Sequence, residues 1–133
     1  VIDLNDDQRK RLVQGYNDKL KLTGLWHRKG MIGNGAIFST PGDIMKYARA
    51  MLKPDETPQA PAIKRVRTPQ FKNIGYNWFF TKAGSIWHNG MNGGYSSFLK
   101  VYLHKDMIIF YLTNTESEIK CFIEAAEEIP CTI

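Results

Sequence analysis

Apolar residues follow a helical period just after Ser39 and an extended period in the second half of the chain. The helical positions are spaced i, i+3, i+4, i+7 and i+8, which predicts one buried stripe formed by Ile44, Tyr47, Ala48, Met51 and Leu52. Thr40 fits the N-cap of this helix, Pro41 its first turn and Asp43 its positive end. The sequence therefore predicts a helix that begins at Pro41 and is closed by Lys53-Pro54.

The other helical signals are shorter. Asn5 and Asp6 can cap a helix that runs to about Tyr16, and residues 117–128 carry the single apolar face of a closing helix. Residues 22–38 are rich in glycine and predict an ordered loop. A connector marked by prolines precedes a short basic segment over residues 62–67.

Four aromatic and β-branched runs predict strands at residues 76–81, 84–89, 95–103 and 107–114. Residues 104–106 are short enough to join the last two strands as an antiparallel hairpin. Helices, then consecutive strands, then a closing helix indicate an α+β fold in which antiparallel strands are flanked by helices.

Composition limits the class of the protein. The chain has 133 residues, close to the commonest domain size, and its 43% hydrophobic content supports a core and excludes a disordered chain. The longest apolar run, residues 107–112, is far shorter than the ~20 residues of a membrane span, so no span is expected in this chain. The start at Val1 without a leader indicates a fragment or a processed product.

Charge is unevenly distributed along the chain. The net charge of +5 combines 14 basic and 7 acidic side chains in residues 1–72 with 4 basic and 6 acidic ones in residues 73–133. The basic half leaves an anion-binding surface open as a hypothesis. No stretch interleaves basic residues with stacking aromatics, so nucleic acid is not an expected partner.

Metal and cofactor chemistry is not expected. His27, His88 and His104 are scattered without partners at ligand spacing, and the glycine-rich runs lack the strand-turn-helix context of a phosphate loop. Cys121 and Cys131 make neither a metal quartet nor a disulfide framework, and whether they pair stays open.

His88 is the candidate for chemistry. It lies at the end of a predicted strand, in front of the glycine-rich residues 90–94, where small residues let a ligand approach the backbone. The alternative is a structural histidine that is hydrogen-bonded in a corner between strand and loop.

Two blocks of sequence resemble a known superfamily. Residues 86–114 read IWHNGMNGGYSSFLKVYLHKDMIIFYLTN, and residues 35–52 read GAIFSTPGDIMKYARAML. The first block contains an H-x-G triplet, a glycine-rich turn, a long strand, a short hairpin and a hydrophobic strand that ends in Thr-Asn. The two blocks resemble the C-terminal part of the serine β-lactamase and penicillin-binding-protein superfamily, in the branch of class C β-lactamases, D-alanyl-D-alanine carboxypeptidases and related esterases.

The resemblance implies that the chain is the C-terminal portion of a single β-lactamase-like catalytic domain. Residues 1–72 are the expected helical and loop part, and residues 73–133 the expected antiparallel strands and closing helix. The implied activity is that of a serine hydrolase, which acts through an acyl-enzyme on the amide or ester bond of a β-lactam, a D-Ala-D-Ala peptide or a small ester. The implied compartment is periplasmic or secreted.

The resemblance also implies roles for the residues of one motif, His88-Asn89-Gly90. His88 is the expected catalytic side chain, and the backbone N–H of Met91 is the expected oxyanion donor. Asn89, Gly90 and Asn92 are the expected substrate-binding residues. No metal and no cofactor are implied.

The nucleophile motif of the superfamily, Ser-x-x-Lys, and its Tyr-x-Asn motif normally precede the residues seen here. The match Ser97-Phe98-Leu99-Lys100 lies in a predicted strand, where positions three apart point to opposite faces, so Lys100 does not activate Ser97. This chain alone is therefore predicted to be inactive, and it is expected to pair with a missing N-terminal part or to self-associate. The alternative is a non-catalytic β-lactamase-like module that binds cell-wall peptide or another ligand.

Overall fold

A computed structural model of the protein describes residues 3–26, 30 and 32–117. Within these ranges the helices are α1 (Asp6–Lys10), α2 (Pro41–Leu52) and α3 (Ala60–Val66), and the strands are β1 (Ile74–Gly75), β2 (Trp78–Phe80), β3 (Ser85–Asn92), β4 (Tyr95–Tyr102) and β5 (Met107–Thr113). None of the described helices is long and apolar enough to cross a membrane. His27, both cysteines and all but the first residue of the helix predicted over residues 117–128 lie outside the described residues.

The five strands form one sheet in the order β1-β2-β3-β4-β5. β2 is antiparallel to β1 and to β3, with Phe79 opposite Trp87 and Phe80 opposite Ile86. Strands that are neighbours in sequence are also neighbours in the sheet and are joined by short connections, so the sheet is an antiparallel meander. The predicted α+β fold with antiparallel strands is therefore confirmed.

Contacts divide the chain into two compact units. Among the described residues, the first unit consists of residues 3–26, 30, 32–39, 90–97 and 111–117, and the second of residues 40–89 and 98–110. β3, β4 and β5 each begin in one unit and end in the other, so each of these strands contributes residues to both.

The core of the second unit is built on α2. Thr40 caps this helix by accepting a hydrogen bond from the backbone N–H of Asp43. Ala48 and Met51 are fully buried, and Tyr47 is the member of the predicted stripe that stays 45% exposed. The other buried members of the cluster are Ile63, Trp78, Ile86 and Val101. The predicted bounds of α2 are confirmed. The sequence could predict them because the cap and the apolar period are both local signals.

α1 begins as predicted but ends at Lys10, well before the predicted end at Tyr16. Asn5 caps its start, but the helix buries no residue, so no apolar face extends it. Tyr16 instead forms a parallel bridge with Thr115, and its backbone N–H donates to the carbonyl of Asn114. The extended pairing of Tyr16 is incompatible with a helix that runs to residue 16.

β3 continues through Asn92, so the predicted strand end at Asn89 is wrong. The turn that follows is confined to Gly93 and Gly94, whose φ values are +59° and +88°. Two consecutive residues with positive φ fit a type I′ hairpin, which glycine forms without steric cost. His88 therefore lies inside a strand and not at its end.

One further strand differs from the prediction, and one segment that was left unassigned is helical. Tyr76 and Asn77 have φ values of +45° and +69° and turn the chain between β1 and β2, so the strand predicted over residues 76–81 shortens to β2. The basic segment over residues 62–67 belongs mostly to α3. Pro61 lies in the first turn of α3, where its missing N–H leaves no bond unmade.

Candidate functional site

β3 carries all five residues that were predicted to form a site. His88 and Asn89 belong to the second unit, and Gly90, Met91 and Asn92 to the first. His88, Gly90 and Met91 are exposed, and the other two are half-buried. The structure therefore presents the predicted residues along one strand, with three of them open to solvent.

His88 lies beside the aromatic rings of β2. The antiparallel register that pairs Phe79 with Trp87 also brings Trp78 across from His88. The imidazole meets Trp78 edge-on, with 6.5 Å between the ring centroids, and its centroid lies 6.2 Å from that of Phe79. Because the aromatic neighbours position the ring while His88 stays exposed, its nitrogens can hydrogen-bond a ligand.

Tyr47 adds a third ring from α2. It stacks on Trp78 with 6.4 Å between centroids and 26° between the ring planes. Burial raises the pKa of Tyr47, and a hydrogen bond with Trp78 opposes part of that increase. The phenol therefore stays protonated at neutral pH and keeps its capacity to donate a hydrogen bond. Sequence analysis placed Tyr47 only in the buried stripe, since no local signal pairs α2 with β2.

The ladder between β2 and β3 is short. It pairs Phe80 with Ile86 and Phe79 with Trp87, and so stops before Asn89. β2 thus leaves the backbone of Asn89 without a partner in this ladder. Backbone groups that a ladder leaves unpaired can accept an added extended segment, which is how many peptide-binding sheets hold their ligands.

Asn92 connects β3 to the glycine-rich loop within the first unit. Its Nδ2 donates a hydrogen bond of 2.9 Å to the carbonyl of Gly35. Gly35 has a φ of +75°, and a Cβ at that position would lie 2.7 Å from Nδ2, so only glycine fits. The Oδ1 atom of Asn92 is buried and has no hydrogen-bond partner in the part of the chain that the structure describes. This contact joins the two sequence blocks on which the resemblance rests.

The hairpin turn after β3 is fixed from several sides of the first unit. Gly94 accepts from the backbone N–H of Tyr16 at 3.2 Å and donates its own N–H to Glu116 Oε1 at 2.9 Å. The carbonyl of Gly93 accepts from Thr23 Oγ1 at 2.9 Å. These hydrogen bonds hold the strand end that carries Gly90, Met91 and Asn92, which sequence analysis treated as part of a longer turn.

Ser97 and Lys100 lie on opposite faces of β4. Ser96, Phe98 and Lys100 alternate as buried positions, whereas Ser97 and Leu99 are half-buried on the other face. Lys100 is only 4% exposed, and its Nζ lies 5.0 Å from the centroid of the Tyr102 ring. This strand geometry is the predicted one, and it separates the Ser97 hydroxyl from the Lys100 amine.

A second Ser-x-x-Lys match, residues 117–120, was missed in the sequence analysis. The backbone N–H of Ser117 donates to Ser96 Oγ at 3.2 Å, and Lys120 lies outside the described residues. The same described part of the chain holds no group of three His, Cys, Asp or Glu side chains able to bind a metal ion.

A comparison with models of protein families gives a match to this chain. A family model described as Beta-lactamase matches residues 2–131, which is nearly the whole chain. The matched range contains both sequence blocks and every residue of the candidate site. A search of curated proteins finds no match.

Proposed function

The chain belongs to the Beta-lactamase family, and from this premise we propose that it forms part of a serine hydrolase that cleaves an amide or ester bond through an acyl-enzyme. The observation that carries the proposal is the exposed His88-Asn89-Gly90 run on β3, inside the matched range. The proposed substrates are a β-lactam, a D-Ala-D-Ala peptide or a small ester. The proposed branch is that of class C β-lactamases, carboxypeptidases and related esterases, and the proposed compartment is periplasmic or secreted.

The proposal assigns roles to the residues of this run and to the two that follow it, Met91 and Asn92. His88 hydrogen-bonds the carboxylate or carbonyl of the substrate, and its exposure and its aromatic supports favour that role. Asn89, Gly90 and Asn92 form the neighbouring substrate-binding strand. The backbone N–H of Met91 stabilises the charge that develops on the carbonyl oxygen in the tetrahedral state, an interaction typically worth about 3 to 4 kcal/mol per donor.

The proposed nucleophile does not come from Ser97. A serine hydroxyl is a weak nucleophile unless a base lies within hydrogen-bonding reach. Lys100 points to the opposite face of β4 and contacts Tyr102, so it is no such base. We therefore propose that the Ser-x-x-Lys nucleophile motif is missing from this chain, and we expect the chain alone to lack hydrolytic activity.

Exposed apolar side chains support the expectation that further protein completes the site. Residues 13–37 of the first unit contain half of the large hydrophobic side chains that are exposed in the described part: Val13, Leu20, Leu22, Trp26, Ile32 and Ile37. Several of them are more than 60% exposed, and their burial against further protein would be favourable. The proposed partner for these side chains is the part of the hydrolase that bears the nucleophile.

The test uses the protein isolated from its source. It is labelled with a fluorescent penicillin and with a fluorophosphonate, and mass spectrometry locates the acylated residue. We expect the label on a serine that is not one of the 133 residues of this chain. In the same protein, His88→Ala is expected to lower kcat/KM for a chromogenic β-lactam or a nitrophenyl ester by about ten- to a hundredfold. The matched control is His104→Ala, which removes the other described histidine from a turn.

Three results would contradict the proposal. An unchanged kcat/KM in His88→Ala would remove the histidine from the site. Activity that is lost on Ser97→Ala would place the nucleophile on β4. Saturable binding of cell-wall peptide without any covalent label would instead favour the non-catalytic binding module. The observation that favours this alternative is the separation of Ser97 from Lys100 on opposite faces of β4.

A further inference from the structure

An open cavity of about 760 Å³ lies within the second unit, away from the candidate site. Its wall includes Gly84, which precedes β3 and is four residues from His88 along the chain. At about 3.3 Å per residue of strand, that separation is roughly 13 Å. The volume of the cavity falls within the range of about 300 to 1,000 Å³ that small-molecule sites occupy.

The floor of the cavity is apolar. Leu52 from the end of α2, Phe80 from β2 and Leu103 after β4 all line it. The same three side chains are partly buried and pack against the core of the second unit. These side chains therefore give the cavity an apolar part, held by the core, against which an apolar group can pack.

The rim of the cavity is basic. Lys53, Lys64, Arg67 and His104 line it together with Asp55 and Glu56. Lys64 is neutralised by an ion pair with Asp55. The Arg67 guanidinium lies 3.5 Å from the carbonyl of Leu52, which is at the outer limit of a hydrogen bond.

Positive charge therefore remains at the rim after the internal pairs are formed. Lys53 makes no ion pair within the described residues, and the cations of Lys53 and Arg67 together exceed the single carboxylate of Glu56. These basic residues belong to the half of the sequence that carries the positive excess. Part of the positive excess of residues 1–72 therefore lies at this cavity and not at the candidate site.

The His104 ring packs against Gly84, where the absence of a side chain leaves room for it. Gly84 has a φ of +74°, and a Cβ built on it would lie 2.6 Å from Cδ2 of His104. The imidazole therefore lies directly over the Gly84 backbone, in a place that a side chain would fill. His104 is exposed, so its ring faces any molecule that enters the cavity.

We propose that this cavity binds a small carboxylate that carries a flat apolar body. Arg67 and Lys53 hold the carboxylate, since charge-assisted hydrogen bonds to these side chains are the strongest that such a group makes in a protein. The apolar body covers Phe80 and Leu103, and the His104 ring closes one side. This proposal does not depend on the proposed hydrolase function.

The test is a titration of the full chain with naphthalene-2-carboxylate, followed by calorimetry and by the NMR signals of the His104 imidazole. The uncharged naphthalene-2-carboxamide is the matched ligand. We expect saturable binding of the carboxylate, a shift of the His104 signals at the same concentrations, and affinity for the amide that is weaker by at least about tenfold.

Variants separate a built site from general attraction of an anion. Arg67→Met and Lys53→Met are each expected to weaken carboxylate binding by about tenfold. Because Arg67 is half-buried, the exposed Lys53 provides the variant that keeps the fold. Lys46→Met removes the same charge from α2 at a position where the amine pairs with Asp43, outside the cavity, and is expected to leave binding unchanged.

Several results would overturn the proposal. Equal affinity for the acid and the amide would show that the charged rim does not recognise the ligand. An equal loss in Lys46→Met and Lys53→Met would show nonspecific charge attraction. No saturable binding, or binding without a shift of the His104 signals, would show that the cavity is not the site.

Discussion

Replacement of Gly94 by alanine tests the packing around the hairpin turn that supports the candidate site. Gly94 has a φ of +88°, in the region that favours glycine. A Cβ there would lie 2.0 Å from Thr23 Oγ1 and 2.7 Å from both the carbonyl carbon of Gly15 and the backbone nitrogen of Tyr16. Only the threonine side chain can move without displacing backbone, so the substitution strains the first unit in more than one place.

The expected loss of stability follows from three contributions. A non-glycine residue in a left-handed conformation costs about 1 to 2 kcal/mol. Displacing Thr23 breaks its hydrogen bond to Gly93, which contributes about 0.5 to 1.5 kcal/mol. Moving the backbone of Tyr16 weakens its bonds to Gly94 and Asn114, which adds about 1 kcal/mol. Gly94→Ala should therefore lose about 2.5 to 4.5 kcal/mol, or roughly 10 to 15 °C in Tm.

Urea denaturation followed by tryptophan fluorescence and by circular dichroism measures this loss. The matched control is Gly24→Ala in the same unit, where a Cβ would meet no heavy atom within 4 Å and φ is not positive. Its stability should change by no more than about 0.5 kcal/mol. If both variants unfold at the same urea concentration, Thr23, Gly15 and Tyr16 do not surround the turn as described, and the argument that they fix β3 fails.

Two further predictions concern the core and the response to pH. Met51→Ala empties a fully buried position and should lower the free energy of unfolding by about 2 to 5 kcal/mol. Met91→Ala removes a side chain that is 61% exposed and should change it by less than about 0.5 kcal/mol. Equal losses in denaturation would contradict the placement of the core. Burial raises the pKa of Tyr95 above the value of the unfolded chain, so its contribution to stability is complete below about pH 10 and is lost as pH rises through the folded value. Denaturation between pH 8 and pH 11 should show a smaller decline in Tyr95→Phe than in the parent chain, and identical declines would refute the assignment.

The elements that the sequence predicts well are those with local determinants. α2 has its cap at Thr40, a proline in its first turn and an apolar period, and all three lie within the helix itself. The hairpin of β4 and β5 is similar, because a short connection and two apolar runs fix it without distant residues.

The errors occur where distant residues decide the backbone. The helix predicted to run to Tyr16 is excluded by the pairing of Tyr16 with a bridge partner about a hundred residues later, and no local signal reports that pairing. The start of β2 depends on Tyr76 and Asn77 adopting positive φ, which is uncommon for residues other than glycine and has no clear signal in a single sequence. In both cases the local propensity was outweighed by tertiary contacts.

The candidate site divides in the same way. The adjacency of His88, Asn89, Gly90, Met91 and Asn92 follows from the sequence, but the prediction placed the last three in a turn, and only the structure shows that β3 carries all five. The stacking of Tyr47 on Trp78 needs α2 to lie against β2, and the bond from Asn92 to Gly35 joins residues 57 positions apart. Neither contact has a periodic signal, so only the structure could identify them.

The geometry around Met91 explains why an ordinary methionine is compatible with the role proposed for it. An oxyanion donor acts through its backbone N–H, so the position of the main chain matters and the side chain does not. The Met91 side chain is 61% exposed. The residues after it bear the constraints instead: Asn92 is bonded to Gly35, and Gly93 and Gly94 are enclosed by Thr23, Tyr16 and Glu116. In the proposed role, the position of the Met91 N–H is therefore fixed by Asn92, Gly93 and Gly94, and substitutions at these three residues should disturb the donor more than substitution of Met91 itself.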